Sequence, residues 1–272
     1  MPAVPGVRRY PALEIAGGET DLLLADLDDF SPTAIEERGD TLRAFFTNPD
    51  ARDAARAALA DRFHVAAIDV SDEDWARRSQ ENLQPVTVGR ITIVSNQSLI
   101  PNPYSLRIVI QPSMGFGTGH HATTRLCLEA LQRVDVTGKR VLDVGTGSGI
   151  LAIAASRLGA SSAVGIDLDA DAIQAARENL GLNPDARHVR FDVVDLAAAA
   201  PTPADIVLAN LTGALLVRAA STLRAATASE GVLIVSGLQV DERDAVVRAL
   251  APMEIVWERE EDSWIGLAMK KA

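Results

Sequence analysis

From about residue 120 the chain alternates apolar runs with amphipathic stretches. RVLDVG (140–145), SAVGID (162–167), VRFDVVD (189–195), ADIVLANL (204–211) and GVLIVSGL (231–238) are short and mostly apolar, the signature of strands buried on both faces. Between them, ILAIAASRLG, ADAIQAARENLGL, GALLVRAASTLRAA and DERDAVVRALA repeat apolar residues at three- and four-residue spacing and predict helices. HHATTRLCLEALQRV (120–134) predicts an amphipathic helix ahead of the series. MEIVWERE and SWIGLAMKK follow each other across a short acidic turn and predict a terminal hairpin that adds an antiparallel strand. Buried strands alternating with helices give an α/β fold, a doubly wound, mainly parallel sheet of the Rossmann-like kind.

The earlier part of the chain has another rhythm. YPALEIA, TLRAFFT and VAAIDV read as strands, and TDLLLADLDDFSPTAIEERG as a helix interrupted by Pro32. DARDAARAALADRF reads as a helix with Asp50 as its N-cap, after Pro49. Residues 1–70 therefore predict a small α+β domain with helices on one face of a short sheet. Residues 71–113 read as a connector. In it, DEDWARRSQENL forms a helix entered from Ser71, and GRITIVSN and SLRIVIQP form strands on either side of the turn-rich QSLIPNPY. The main domain then spans 114–272.

Composition narrows this picture. Hydrophobic residues make up 47% of 272, ample for a core. The net charge of -11 argues against a nucleic-acid surface, which needs a basic face, and suits attraction of a basic partner. Cys127 is the only cysteine, so there is no intrachain disulfide and no multi-cysteine metal site. The first residues lack the apolar run of a signal peptide, and no stretch reaches membrane-spanning length, so a cytoplasmic protein without a membrane partner is expected.

The chemistry concentrates in VLDVGTGSG (141–149), a glycine loop closing the first core strand. Such a loop brings backbone and a helix N-terminus close to a ligand. A dinucleotide fingerprint counted from Gly145 fails at Ile150; counted from Gly147 it runs through Gly149 and Ala152, with Asp167 about 20 residues on. A P-loop fails because no Gly-Lys-Ser/Thr follows. Further polar residues break the tie. Asp167 ends the second strand, Asp192 and Asp195 mark the end of the third, and Asn210 ends the fourth. This set suits a compact nucleoside amino acid, S-adenosylmethionine. Asp167 would take the ribose hydroxyls, Asp192 or Asp195 the adenine amino group, and the backbone at Gly145 and Gly147 the methionine part. Asp143, inside the strand, would either order the loop by accepting N–H bonds or hold the ligand's amino group.

A second glycine motif, MGFGTGHHATTRLCLEAL (114–131), precedes the core. His120 and His121 diverge by about 100 degrees on a helix, so the pair does not make a metal site. Two readings stay open: a loop folding over the cofactor, with threonine hydroxyls donating to its carboxylate, or an ordinary helix cap using Thr or His. GFGTGHHATTRLCLEAL, VLDVGTGSGILAIAASRLGA, VLANL, GVLIVSGL and WIGLAMKK together resemble the methyltransferase family that modifies ribosomal protein L11, over about residues 71–272. The resemblance implies S-adenosylmethionine as donor and methylation of lysine, and of α-amino nitrogens, of that ribosomal protein. It also implies a substrate-recognition role for the N-terminal domain. It carries cofactor contacts to Thr124, Gly145, Asp167 and Asn210, and puts Phe116, Gly117 and Thr118 beside the cofactor and the incoming amine. Phe116, Thr118 and Asn210 are thus the catalytic candidates, and Trp75 matches a tryptophan of the family's connector. A base is offered by His120 or His121, or the proton leaves to water. Rival readings are a methyltransferase of the same scaffold acting on another protein or a small amine, and a cofactor-binding interaction protein without activity.

Overall fold

The computed structural model describes residues 9–16, 27, 30, 32, 34–38, 41–60, 62–71, 84–95, 105–111, 121–196 and 201–271. The chain divides into two compact units, 1–81 and 82–272.

In the first unit, strands β1 (Arg9–Ala16), β2 (Ala34–Arg38), β3 (Thr41–Phe45) and β4 (His64–Ser71) form an antiparallel sheet ordered β2-β3-β1-β4. Helix α1 (Pro49–Leu59) buries Ala55 and Leu59 against Leu13, Ile15, Leu42 and Ala44 of that sheet. Two expectations need correction. AIEER is a strand rather than the end of a helix, with Arg38 opposite Thr41. Pro32 breaks the helical pattern upstream, and Gly39-Asp40 is a dipeptide that favours a hairpin. The cap of α1 is Asn48, not Asp50: its side chain accepts from the Ala51 N–H at 2.9 Å. Pro49 occupies the first helical position, where its missing N–H is harmless, so the cap must precede it. Asp50 instead sits in the first turn, facing the positive end of the helix dipole. The helix expected at 72–83 and Trp75 lie outside the described residues.

The second unit begins with a small sheet, β5 (Val86–Val88), β6 (Ile91–Val94) and β7 (Leu106–Val109), in which β6 and β7 are parallel. Ile91, Ile93 and Ile108 join the same apolar cluster as helix α3 (Ile150–Arg157), so this part of the 71–113 stretch is built into the second unit. Helix α2 (Ala122–Leu131) ends at Gln132, which locks the β5–β6 turn: its Oε1 accepts from the Arg90 N–H at 2.7 Å, and its Nε2 donates to the Val88 carbonyl at 2.9 Å.

The main sheet has seven strands: β8 (Arg140–Val144), β9 (Ser162–Asp167), β10 (Val189–Val193), β11 (Ala204–Asn210), β12 (Thr227–Gln239), β13 (Glu254–Glu261) and β14 (Trp264–Lys270). Their order is β10-β9-β8-β11-β12-β14-β13. The first five run parallel, and β14 is antiparallel to both of its neighbours. The hairpin therefore adds two strands, with β14 inserted between β12 and β13. Helices α3, α4 (Ala170–Gly181), α5 (Gly213–Ala226) and α6 (Arg243–Leu250) complete the alternation. One apolar layer joins α2 and α3 to one face of the sheet; a second joins α5 and α6 to the other. Strand order reverses between β8 and β11, so the crevice beyond their carboxyl ends is where a doubly wound sheet holds its ligand. Among the described residues no helix is long and apolar enough to cross a membrane.

Candidate active site

β8 runs into Gly145, Gly147 and Gly149, all at positive φ (69, 51 and 82 degrees). Only glycine takes such turns without strain. A Cβ on Gly145 would also lie 2.5 Å from Leu211 Cδ2. Asp143 orders this loop from behind. Fully enclosed, it accepts the Thr146 hydroxyl at 2.6 Å and the Ala152 N–H at 3.2 Å, both on Oδ2. It lines neither of the two clefts beside the loop, so of its two sequence readings the geometry gives loop ordering. Burial away from water raises its carboxyl to about 7, against the pull of the Thr146 and Ala152 bonds.

Asp167 closes β9 at the other side of the loop. Its Oδ2 accepts the Gly147 N–H at 3.0 Å and its Oδ1 the Asp169 N–H at 3.1 Å. A carboxylate offers about four lone-pair positions, so each oxygen retains one toward a vicinal diol. Asp169 caps α4 by accepting the Asp171 N–H, which presents a helix N-terminus beside the same crevice.

The two adjoining clefts share Gly145, Asp167, Leu211 and Leu215. One, of about 340 Å³, is largely apolar, walled by Leu168, Val194, Leu196 and Ala219 with Asp195 at its side. An apolar lining with Asp195 and Asp167 at its edge suits a purine ring with an exocyclic amine. The other, of about 380 Å³, is lined by Gly147, Asp169, Asn210, Thr212, His121, Thr123, Gly237 and Trp264. Of the alternatives for the third-strand acid, Asp195 is on the cleft and Asp192 is not. Asp192 accepts from Arg190 Nε at 3.1 Å and faces another depression, beside Ser162 and His188. The physical reason is position: Asp192 is still inside β10, whereas Asp195 lies past its carboxyl end, where ligands bind.

Asn210, the last residue of β11, lines the second cleft. Its Nδ2 donates to Thr124 Oγ1 at 3.5 Å, and its Oδ1 is buried with no hydrogen-bond partner among the described residues. A buried acceptor left unpaired is unfavourable, and one on a cleft wall is an acceptor held for a ligand donor. Thr124 itself is fully buried behind Asn210, and the threonine on the cleft is its neighbour Thr123. The cap of α2 is His121, whose Nδ1 accepts from the Thr123 N–H at 3.4 Å and shares a 2.8 Å bond with the Thr123 hydroxyl. Burial, reinforced by nearby Arg125, holds His121 below the ordinary imidazole range and favours its neutral form. Phe116, Gly117, Thr118 and His120 lie outside the described residues. Among those described, no group of three or more His, Cys, Asp or Glu is placed to hold a metal ion.

Sequence reasoning missed Trp264, Gly237 and Leu215. Trp264 stacks edge-on against His121 with ring centroids 5.0 Å apart, and only the sheet order brings the final hairpin to the cleft. Gly237 has a φ of 88 degrees, and a Cβ there would lie 2.4 Å from the Leu211 carbonyl and 3.1 Å from Asn210 Oδ1. Its signal was present as a glycine at the carboxyl end of a core strand.

Comparison with known proteins agrees with this geometry. The model of the ribosomal protein L11 methyltransferase (PrmA) family matches residues 25–272. A ribosomal protein L11 methyltransferase of Geobacter metallireducens is 39% identical over 86% of this chain and 83% of its own. One of Deinococcus radiodurans is 42% identical over 71% of this chain and 72% of its own. The crystal structure of a ribosomal protein L11 methylase from Lactobacillus delbrueckii subsp. bulgaricus superposes with a TM-score of 0.63 at 30% identity, covering 70% of this chain and 99% of that one. With the family pattern running through nearly the whole chain, and the glycine loop, Asp167 and Asn210 gathered around one crevice, this chain belongs to the ribosomal protein L11 methyltransferase family.

Proposed function

We propose that this protein transfers methyl groups from S-adenosylmethionine to amine nitrogens of ribosomal protein L11, its lysines foremost. The residues present fit that donor. Asp167 offers a joint acceptor for two ribose hydroxyls, the cleft bearing Leu168 and Asp195 fits adenine, and the neighbouring cleft takes the amino-acid end. Bound there, the donor supplies an electrophilic methyl carbon on a sulfonium.

The chain's own work is to bind, orient and dry. An attacking lysine must be neutral, yet its reference pKa is about 10.4. A largely apolar cleft disfavours the ammonium form and helps release its proton. The unpartnered Asn210 Oδ1 accepts one amine hydrogen and so aims the nitrogen lone pair. Asn210 is held for this by Thr124 at 3.5 Å and by the close approach of Gly237. His121 in its neutral form, and Trp264, wall the acceptor side and exclude water. In-line displacement then needs chiefly donor carbon and nitrogen held roughly 3–3.5 Å apart. Phe116 and Thr118 are assigned to the same acceptor side on the family resemblance.

We assign substrate recognition to the first unit. It has its own core around Leu13, Ile15 and Leu59, as an independent module requires, and the family pattern enters it at residue 25. The observation that carries the functional reading is Asn210: a buried acceptor without a partner among the described residues, lining the same cleft as the Asp167-locked glycine loop. The test is incubation with methyl-labelled donor and purified ribosomal protein L11. Label on lysine or amino-terminal peptides supports the reading, and a donor that binds without any transfer rejects it.

A further inference from the structure

We propose that Asn179 is a positioning residue for this reaction, a single carboxamide that fixes the cofactor loop to the outlet of β7. The proposal rests on the functional reading above. Asn179 is buried on α4. Its Nδ2 donates to the Ser148 carbonyl at 2.9 Å, and its Oδ1 accepts the Gln111 N–H at 2.9 Å. One turn on, Asn183 Oδ1 accepts the Val109 N–H at 2.9 Å and its Nδ2 donates to the Val109 carbonyl at 2.7 Å. Among the described residues β7 is an edge strand, paired only with β6. Its open edge would leave backbone groups bare, and the two asparagines satisfy them as a neighbouring strand would.

The two residues differ in one respect. Both arms of Asn183 that reach β7 end on Val109, so that side chain serves the packing of the strand. Asn179 divides its arms between the strand outlet and the glycine loop. The loop is thus gripped at consecutive residues from two successive elements: Gly147 N–H by Asp167 at the end of β9, and Ser148 C=O by Asn179 within α4. Fixing the Ser148 carbonyl restrains the loop two peptide units beyond the Gly147 N–H that meets Asp167, and through Asp167 it bears on the placement of the ribose. The other arm ends on Gln111, shortly ahead in sequence of the MGFGTG glycine motif. One side chain therefore ties the loop after β8 to the last described residue beyond β7.

The test uses the full chain with Asn179→Asp, Asn183→Asp and Gln111→Pro, reading donor affinity by calorimetry, kcat and KM for the protein substrate, and melting temperature. An aspartic acid at 179 keeps both arms while protonated, because its O–H donates to Ser148 and its carbonyl accepts from Gln111. Once ionised it loses the donor and opposes the Ser148 oxygen. Burial raises its titration toward neutrality. Asn179→Asp should therefore bind donor nearly as the parent does at pH 6, and about tenfold more weakly at pH 9. Asn183→Asp should lower the melting temperature without that pH-dependent loss of affinity. Gln111→Pro removes the strand-side N–H, and with it the Asn179 bond, at an exposed position; it also fixes φ there and restricts Ile110 before it. It should lower kcat several-fold with donor affinity within about twofold. If the two aspartate variants share one pH profile of affinity, or if Gln111→Pro leaves kcat unchanged, Asn179 is merely structural and the proposal falls. If the parent protein itself neither binds donor nor methylates, it is the functional reading that fails.

Discussion

At the scale of single residues, three carboxylate or amide side chains divide the labour. Asp167 is the joint acceptor proposed for the ribose, so Asp167→Ala should weaken donor binding by about 100-fold, the scale of two lost charge-assisted hydrogen bonds. Titration calorimetry measures this directly, and unchanged affinity would remove the ribose role. Asn210→Ala should instead reduce kcat by ten- to 100-fold with donor affinity changed less than about threefold, because its Oδ1, without a partner among the described residues, is the acceptor proposed for the amine. Equal losses in both quantities would make Asn210 a binding residue only. Asp143 makes a pH-dependent contribution to stability. Its folded pKa, about 7, lies above the ordinary aspartate value because of burial, so the folded state holds the proton more tightly than the unfolded chain. The sign follows: the contribution is fully present below the unfolded value and lost as pH rises through about 7. Each tenfold gain in proton affinity on folding is worth about 1.4 kcal/mol, so the whole contribution is at most about 4 kcal/mol. Urea unfolding at pH 5 and pH 8 should therefore find the parent losing stability relative to Asp143→Asn as pH rises; equal differences at the two pH values would contradict it.

At the scale of elements, the glycine loop is where sequence and structure agree most closely. Three glycines after a buried apolar run leave few backbone paths, and all three adopt positive φ. Gly145→Ala must place an alanine at a φ of 69 degrees against Leu211. The left-handed conformation alone is unfavourable by about 1–2 kcal/mol, so the variant should bind donor roughly 5- to 30-fold more weakly. Donor titration of the variant checks it, and parental affinity would show that the loop conformation is dispensable. The parallel strands were legible because burial on both faces leaves uninterrupted apolar runs. The first unit was less so. AIEER carries two adjacent acids and no apolar alternation, so it reads equally as a helix, and only the register with β3 decides. The choice between Asp192 and Asp195 was hidden because it depends on where β10 ends, to within a residue or two. Trp264 and Gly237 were hidden because strand order, not sequence distance, brings β12 and β14 to the cleft. Asn179 and Asn183 were silent for the same reason: an asparagine in a helical pattern does not reveal that its partner is a strand edge about 70 residues earlier.

At the scale of the whole molecule, two units with separate cores divide recognition from chemistry in the function proposed for this chain. The net charge of -11 favours encounter with a lysine-bearing basic substrate by long-range attraction that salt screens. KM for the protein substrate should accordingly rise several-fold between low and high salt while donor affinity moves much less, and parallel salt dependence would contradict steering. The account as a whole turns on what the crevice past β8 holds. The most direct measurement is a crystal structure of the protein grown with S-adenosylhomocysteine. The account predicts the ribose hydroxyls on the Asp167 carboxylate, adenine in the cleft beside Leu168 and Asp195, and the amino-acid end toward Asn210 and Thr123. An empty crevice, or a nicotinamide dinucleotide retained there in its place, would contradict it.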